Sequence, residues 1–129
     1  MYSYLNEMVN KAAQALDFSY VPVSNFRVSA CILTEHNRMI VGCNFENASF
    51  PLSVCAETSA IANMISSGSR SIRAILIMNN EAELCSPCGG CRQQIFEFSQ
   101  KDTLIHLYGN GQLKKTLTME ELLPCPFHL

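Results

Sequence analysis

Two short segments of this chain combine cysteines with a carboxylate at spacings that suit metal chemistry. The segment "CAE" places Cys55 two residues before Glu57, and "PCGGC" places Cys88 three residues before Cys91, directly after a proline. Two sulfurs on one helical turn can reach a single ion, and Cys55 would supply a third ligand. A tetrahedral zinc with three protein ligands keeps one position for water. The spacing therefore predicts a catalytic zinc site.

Glu57 is the candidate catalytic residue of this site. It follows Cys55 within the first turn of a predicted helix, so it can lie over the metal without coordinating it. A carboxylate there can take a proton from an activated water and pass it on. A ligand-x-Glu segment followed by Pro-Cys-x-x-Cys is typical of zinc deaminases, in which the glutamate is a proton shuttle. Here a cysteine occupies the first ligand position.

A purely structural site is the alternative. Cys85 precedes the pair in "CSPCGGC", so it could join the other three cysteines in a closed four-cysteine site. That interpretation leaves Glu57 unexplained. It also ignores that Cys88 and Cys91, but not Cys85, fall at a predicted helix N-terminus, where partial positive charge favours thiolate.

The other cysteines and the histidines are predicted to have no metal. Cys31 and Cys43 lie in predicted strands and are expected to be small core residues, and Cys125 is left unassigned. Three histidines are expected at positions that do not suit a metal: in a turn (His36), within a strand (His106) and near the terminus (His128).

The hydrophobic periodicity predicts the order α-β-β-α-β-α-β-β-α. Predicted helices cover 4–16, 54–67, 90–98 and a final turn at 119–123, and predicted strands cover 27–34, 39–45, 72–78, 103–109 and 112–117. Helices that alternate with strands predict an α/β fold with a mixed sheet and helices on both faces.

Composition limits the class of protein. The chain has 129 residues, 48% of them hydrophobic and 16% charged, which predicts a single packed domain over 1–129. The absence of a signal-like start and of an apolar run near ~20 residues predicts a cytoplasmic protein without a membrane partner. The net charge is −2 and nine basic residues are scattered, so we expect a small substrate and no nucleic acid.

Five ordered segments resemble the cytidine deaminase family, specifically its short homotetrameric class. They are "SNF", "GCNFENASF", "CAETSAI", "SPCGGCRQ" and "MEELLPCPF", and they span nearly the whole chain. The resemblance implies a three-layer α/β/α fold with a mostly five-stranded sheet. It also implies conversion of cytidine or 2′-deoxycytidine to uridine or 2′-deoxyuridine plus ammonia, in pyrimidine salvage. One zinc per subunit would be held by Cys55, Cys88 and Cys91, with Glu57 as proton shuttle.

The resemblance also implies contacts with the substrate. The main chain of Ala56 and that of Ser86 would contact the 2-oxo and amino groups of the base. Asn44 and Glu46 would hydrogen-bond the ribose 3′-hydroxyl, and Phe26 would pack on the base.

Two further aromatics imply an active site shared between subunits of a homotetramer. Phe127 resembles the residue that reaches a neighbouring subunit's site, and Phe50 resembles one from another neighbour that helps to close the pocket. The isolated monomer would then be inactive.

One position departs from the family pattern. Many three-cysteine members have arginine after the glutamate, whereas this chain has Thr58. Three thiolates leave a zinc centre with net charge −1, and arginines that hydrogen-bond the sulfurs would temper that charge. The chain keeps Arg92 as such a supporting residue. We expect a more electron-rich zinc unless Thr58 or another group compensates.

Two other deaminase types are alternatives. A deaminase of aminonucleoside antibiotics, of the blasticidin type, shares cysteine-type zinc motifs and an "ELLP" ending. The "NFEN" segment and the terminal phenylalanine favour simple nucleosides. A polynucleotide deaminase is disfavoured by the acidic balance and the lack of aromatic and basic grooves.

Overall fold

The helices and strands follow the predicted order. The computed structural model describes residues 2–81 and 83–129. The helices are α1 (Leu5–Leu16), α2 (Ala56–Ser66), α3 (Gly89–Phe98) and α4 (Met119–Leu122), with a 3₁₀ turn at Phe50–Leu52. The strands are β1 (Val28–Thr34), β2 (Met39–Cys43), β3 (Ile72–Asn79), β4 (Ser99–Gly109) and β5 (Gln112–Thr118).

The five strands form one mixed sheet in the order β2-β1-β3-β4-β5. β3 and β4 are parallel and are joined through α3, while the other neighbouring strands are antiparallel. A parallel pair needs such a crossover, whereas the β1–β2 hairpin needs only a turn. The predicted mixed five-stranded sheet is confirmed.

Helices cover both faces of the sheet, which confirms the three layers. On one face, α1 contributes Met8, Ala12 and Leu16 to a core with β1 and β3. On the other face, residues of α2, α3 and α4 pack against β1, β3 and β4. All seven residues of β1 are buried because both faces of the strand are covered.

Gly42 fixes the distance between α2 and the edge strand β2. A Cβ atom built on Gly42 would lie 2.3 Å from the Ala60 backbone nitrogen, so the helix backbone rests directly on the strand. This contact sets the position of α2, whose first turn carries the candidate catalytic residue.

The clearest boundary difference lies in β4. The predicted strand begins at 103, whereas β4 begins at Ser99, directly after α3. Ser99 pairs with Ile72 across an irregular register, a contact that the polar local sequence does not signal. Cys31 is fully buried, as predicted for a core residue. Cys43 was predicted to be a core residue too, but it is only half-buried because β2 is an edge strand.

Within 2–81 and 83–129, no helix has the length and apolarity needed to cross a membrane. The predicted single-domain organisation over 1–129 remains a proposal. Contacts of α1, α2 and α4 with the same sheet support it.

Candidate active site

Three cysteines meet where α2 and α3 begin. Cys55 and Cys88 are the N-cap residues of these helices, in extended backbone conformation, and Cys91 lies in the first turn of α3. The Cys55 side chain forms no capping hydrogen bond, so its sulfur is left to other partners. The three sulfurs lie within 4.8 Å of one another. Tetrahedral zinc–sulfur bonds place sulfurs about 3.8 Å apart, so this cluster fits a zinc ion.

The electrostatics of the cluster also favour a bound cation. Burial, and then the nearby charge of Glu57, raise the pKa of the Cys91 thiol. Burial also raises the pKa of the Cys55 thiol, whereas a hydrogen bond from the Cys91 backbone lowers the pKa of Cys88. Crowded thiols beside a carboxylate resist deprotonation, and a divalent cation offsets that repulsion.

Cys85 is not a member of the described cluster. It is half-buried and packs against the core formed by α2, α3 and the sheet. The described residues therefore form a three-sulfur site, which is open to a further ligand, and not the closed four-cysteine alternative.

Glu57 is buried beside the cysteines. It is the second residue of α2, and only 5% of its surface is exposed. Burial raises the pKa of its carboxyl group above the ordinary value. A carboxyl group whose pKa is moved toward neutrality can hold a proton and release it again, as the shuttle role requires.

A cleft of about 510 Å³ brings together two of the predicted substrate-binding residues. Phe26 and Ser86 line it together with Cys85, and Phe26 also packs on the core. Burial, and then the nearby charge of Glu57, raise the pKa of Cys85, so the carboxylate lies close to the cleft wall. Ala56, whose main chain was predicted to contact the base, is buried at the start of α2.

Asn44 orders the backbone that carries Phe26. Its Nδ2 donates to the Phe26 carbonyl at 2.9 Å, and its Oδ1 accepts from the Val28 amide at 3.0 Å. The side chain thereby holds the segment before β1 against the segment after β2.

Glu46 orders the neighbouring loop. Its carboxylate accepts hydrogen bonds from the Val23 amide at 2.9 Å, the Ser24 amide at 3.1 Å and the Ser24 hydroxyl. The Ser24 hydroxyl and these amides lower the pKa of the carboxyl group, so it is ionised at neutral pH. The role of Ser24 was not predicted, although "SNF" was among the recognised segments.

Arg92 does not meet the expectation that it hydrogen-bonds a ligand sulfur. Its guanidinium donates to the Pro87 carbonyl at 3.0 Å, the Leu122 carbonyl at 2.7 Å and the Ser86 hydroxyl at 2.5 Å. One residue corresponds to about 100° around a helix, so the side chain that follows Cys91 leaves α3 in a different direction. Arg92 instead connects the segment before α3 to α4.

Phe127 and Phe50 lie on the surface, with 69% and 67% of their areas exposed. The Gln93 amide holds the backbone of Phe127, donating to its carbonyl at 2.8 Å and accepting from its N–H at 3.3 Å. Sequence reasoning missed Gln93, although its place directly after Cys91-Arg92 in "CRQ" was available as a signal. Neither phenylalanine lines the described cleft of its own chain.

Known proteins share both the fold and this region. A family profile described as "Cytidine and deoxycytidylate deaminase zinc-binding region" matches residues 3–107, a range that contains all three clustered cysteines and Glu57. The cysteine cluster and the match define a zinc-dependent hydrolytic deaminase.

Individual relatives agree with that class. The chain is 42% identical to a cytidine deaminase of Mycoplasma genitalium, over 81% of each chain. The crystal structure of cytidine deaminase from Burkholderia pseudomallei has a TM-score of 0.88 at 31% identity, covering 98% of this chain and all of that one. A blasticidin-S deaminase of Bacillus cereus is 29% identical, over 94% of this chain and 90% of that protein. The chain belongs to the cytidine and deoxycytidylate deaminase family.

Proposed function

We propose that this enzyme converts cytidine and 2′-deoxycytidine to uridine and 2′-deoxyuridine, with water consumed and ammonia released, as a step of pyrimidine salvage. The observation that carries the proposal is the buried Glu57, which lies beside three clustered sulfurs and near Cys85 in the wall of the Phe26–Ser86 cleft.

Cys55, Cys88 and Cys91 are the proposed zinc ligands, since their sulfurs fit the size and the donor preference of that ion. When bound, zinc supplies Lewis acidity that makes water a nucleophile near neutral pH. Glu57 accepts a proton and delivers it to ring nitrogen 3, which makes carbon 4 electrophilic. The water oxygen bonds to carbon 4, and Glu57 moves the second proton of that water to the amino group, so that the carbon–nitrogen bond breaks, ammonia leaves and carbon 4 becomes a carbonyl. The raised pKa of Glu57 suits both transfers.

The base would lie in the cleft. Phe26 offers an aromatic surface for stacking, and the main chain of Ala56 and that of Ser86 would contact the 2-oxo and amino groups. Arg92 supports this arrangement because its hydrogen bonds to Ser86 and Pro87 fix the segment on which the amino-group contact depends.

Asn44 and Glu46 keep hydrogen-bonding capacity for a sugar hydroxyl. Asn44 uses one of its two amide hydrogens on Phe26, and Glu46 uses about three of its roughly four acceptor positions. A hydroxyl can accept from an amide and donate to a carboxylate at once. This complementarity supports the proposed contact with the ribose 3′-hydroxyl.

The proposed assembly is a homotetramer with shared active sites. Phe127 and Phe50 are exposed aromatics, and exposed aromatics are enriched at interfaces between proteins. Gln93 holds the Phe127 backbone, which favours a defined presentation of this ring. The free thiols of the described cysteines are consistent with a proposed location in the reducing cytoplasm.

The decisive experiment follows cytidine absorbance and ammonia release with purified enzyme. Removal of the metal should abolish both signals, and added zinc should restore them. Glu57→Gln is the matched variant, because it keeps the side chain's shape, and we expect it to retain zinc while turnover falls about 10²–10⁴-fold.

Parallel reactions with 2′-deoxycytidine and blasticidin S separate the substrate classes. The proposed function predicts activity on both simple nucleosides. An enzyme that leaves cytidine intact but deaminates blasticidin S would assign the chain to the antibiotic-deaminase type instead.

A further inference from the structure

Thr58 lies where it can contact the metal cluster. It is the third residue of α2, half-buried, and its hydroxyl oxygen lies 3.9 Å from the Cys91 sulfur of α3. Cys91 is 2% exposed, so water has little access to its sulfur. The hydroxyl is therefore a hydrogen-bonding group supplied to this sulfur by the protein.

The chemistry fixes the direction of that contact in the metal-bound enzyme. A cysteine that binds zinc is a thiolate without a proton, so the threonine hydroxyl must be the donor. A helical threonine commonly bonds to the carbonyl four residues earlier. Here that carbonyl belongs to Val54, and it accepts a hydrogen bond from the Phe45 amide at 3.1 Å. One of the two acceptor positions of this competing carbonyl is therefore already occupied.

Arg92 does not supply this interaction, because its guanidinium is directed to Pro87, Ser86 and Leu122. Thr58 and Glu57 both come within hydrogen-bonding reach of the Cys91 sulfur, and of the two the threonine hydroxyl is the group that keeps a proton to donate when the carboxyl group is ionised. Three thiolates on one divalent ion leave an excess negative charge, and Glu57 lies next to them. A donor at one sulfur reduces the electron density that this sulfur gives to the metal.

We propose that Thr58 is a positioning residue of the metal centre, whose hydroxyl donates a hydrogen bond to the Cys91 sulfur, orients it for coordination and moderates its donation to zinc. The proposal rests on the assignment of Cys55, Cys88 and Cys91 as ligands. Thr58 would then moderate the excess negative charge of the three thiolates, as the arginine found at this position in many three-cysteine relatives would.

Two variants separate the hydroxyl from the rest of the side chain. Thr58→Val keeps the branched shape and removes the hydroxyl, whereas Thr58→Ser keeps the hydroxyl and removes the methyl group. Each purified protein is freed of zinc, loaded with Co²⁺ and measured for the thiolate-to-cobalt charge-transfer band. Thermal melting of the zinc-loaded proteins verifies that each variant is folded.

We expect the charge-transfer band of Thr58→Val to move to longer wavelength, since a sulfur without the hydrogen bond gives up an electron more easily. Thr58→Ser should match the unmodified protein. Competition with a chromophoric chelator should show that Thr58→Val has lost about 10–100-fold in zinc affinity.

The proposal is overturned if the valine and unmodified proteins have superimposable spectra, or if serine and valine shift alike. An unmodified protein that gives no thiolate–cobalt band overturns the ligand assignment itself. That failure is distinguishable because it is visible before any variant is compared.

Discussion

Replacement of His106 by glutamine should remove a pH-dependent part of the protein's stability. The ring is fully buried in β4, with Nδ1 2.9 Å from the Thr116 hydroxyl oxygen and Nε2 2.9 Å from the Tyr4 hydroxyl oxygen. Burial lowers the pKa of His106 from 6.5 to about 4. Its ring is therefore neutral in the folded protein at pH values where it is charged in the unfolded chain.

The sign and size of the effect follow from this difference. Between pH 6.5 and about 4 the unfolded chain binds one more proton at His106 than the folded protein does. The contribution to the free energy of unfolding is therefore complete above pH 6.5 and is lost as the pH falls toward 4. The full depression corresponds to about 3 kcal/mol, or roughly 1.4 kcal/mol per pH unit within the window.

Urea unfolding of the zinc-loaded protein at several pH values between 4 and 7.5 provides the assay. His106→Gln should be less stable than the unmodified protein at pH 7.5, since it perturbs a packed site. The difference between the two free energies should shrink by up to about 3 kcal/mol as the pH falls to 4.

His128→Gln is the matched control, because it makes the same substitution at an exposed position near the end of the chain. Parallel stability curves for the His106 variant and the unmodified protein would refute the reasoning, because His106 would then bind its proton equally in both states.

Three further substitutions test the site and the fold. Phe127→Ala should lower turnover without unfolding the chain, because the ring is 69% exposed. If the active sites are shared between subunits, mixing this variant with inactive Glu57→Gln subunits should restore activity, and mixed assemblies that stay inactive would contradict sharing. Arg92→Lys should raise KM and lower the free energy of unfolding by about 1–3 kcal/mol, since one ammonium group cannot replace three guanidinium contacts. Unchanged kinetics and an unchanged urea midpoint would show that Arg92 does not support the site. Gly42→Ala should lower the free energy of unfolding by about 1–3 kcal/mol or more, because the new methyl group would lie 2.3 Å from the backbone of α2. Gly90→Ala is the control, since its methyl group would meet no atom within 4 Å. Equal melting temperatures for the two variants would contradict the close contact at Gly42.

The predicted order of elements is confirmed because the hydrophobic periodicity and the turn residues that define it are local properties. Local sequence properties also explain part of the cluster of three sulfurs. Cys55 and Cys88 directly precede α2 and α3, and the three-residue spacing from Cys88 to Cys91 places two sulfurs within one turn. The sequence alone therefore determined the type of chemistry and the type of fold.

Only the tertiary structure decided which neighbours these residues have. Thr58 meets Cys91, 33 positions away, because α2 packs beside α3. Arg92 leaves α3 toward α4, and the early start of β4 depends on pairing with Ile72, far away in the chain. Such contacts are set by how helices and strands pack against one another, and local residue patterns carry no record of that geometry.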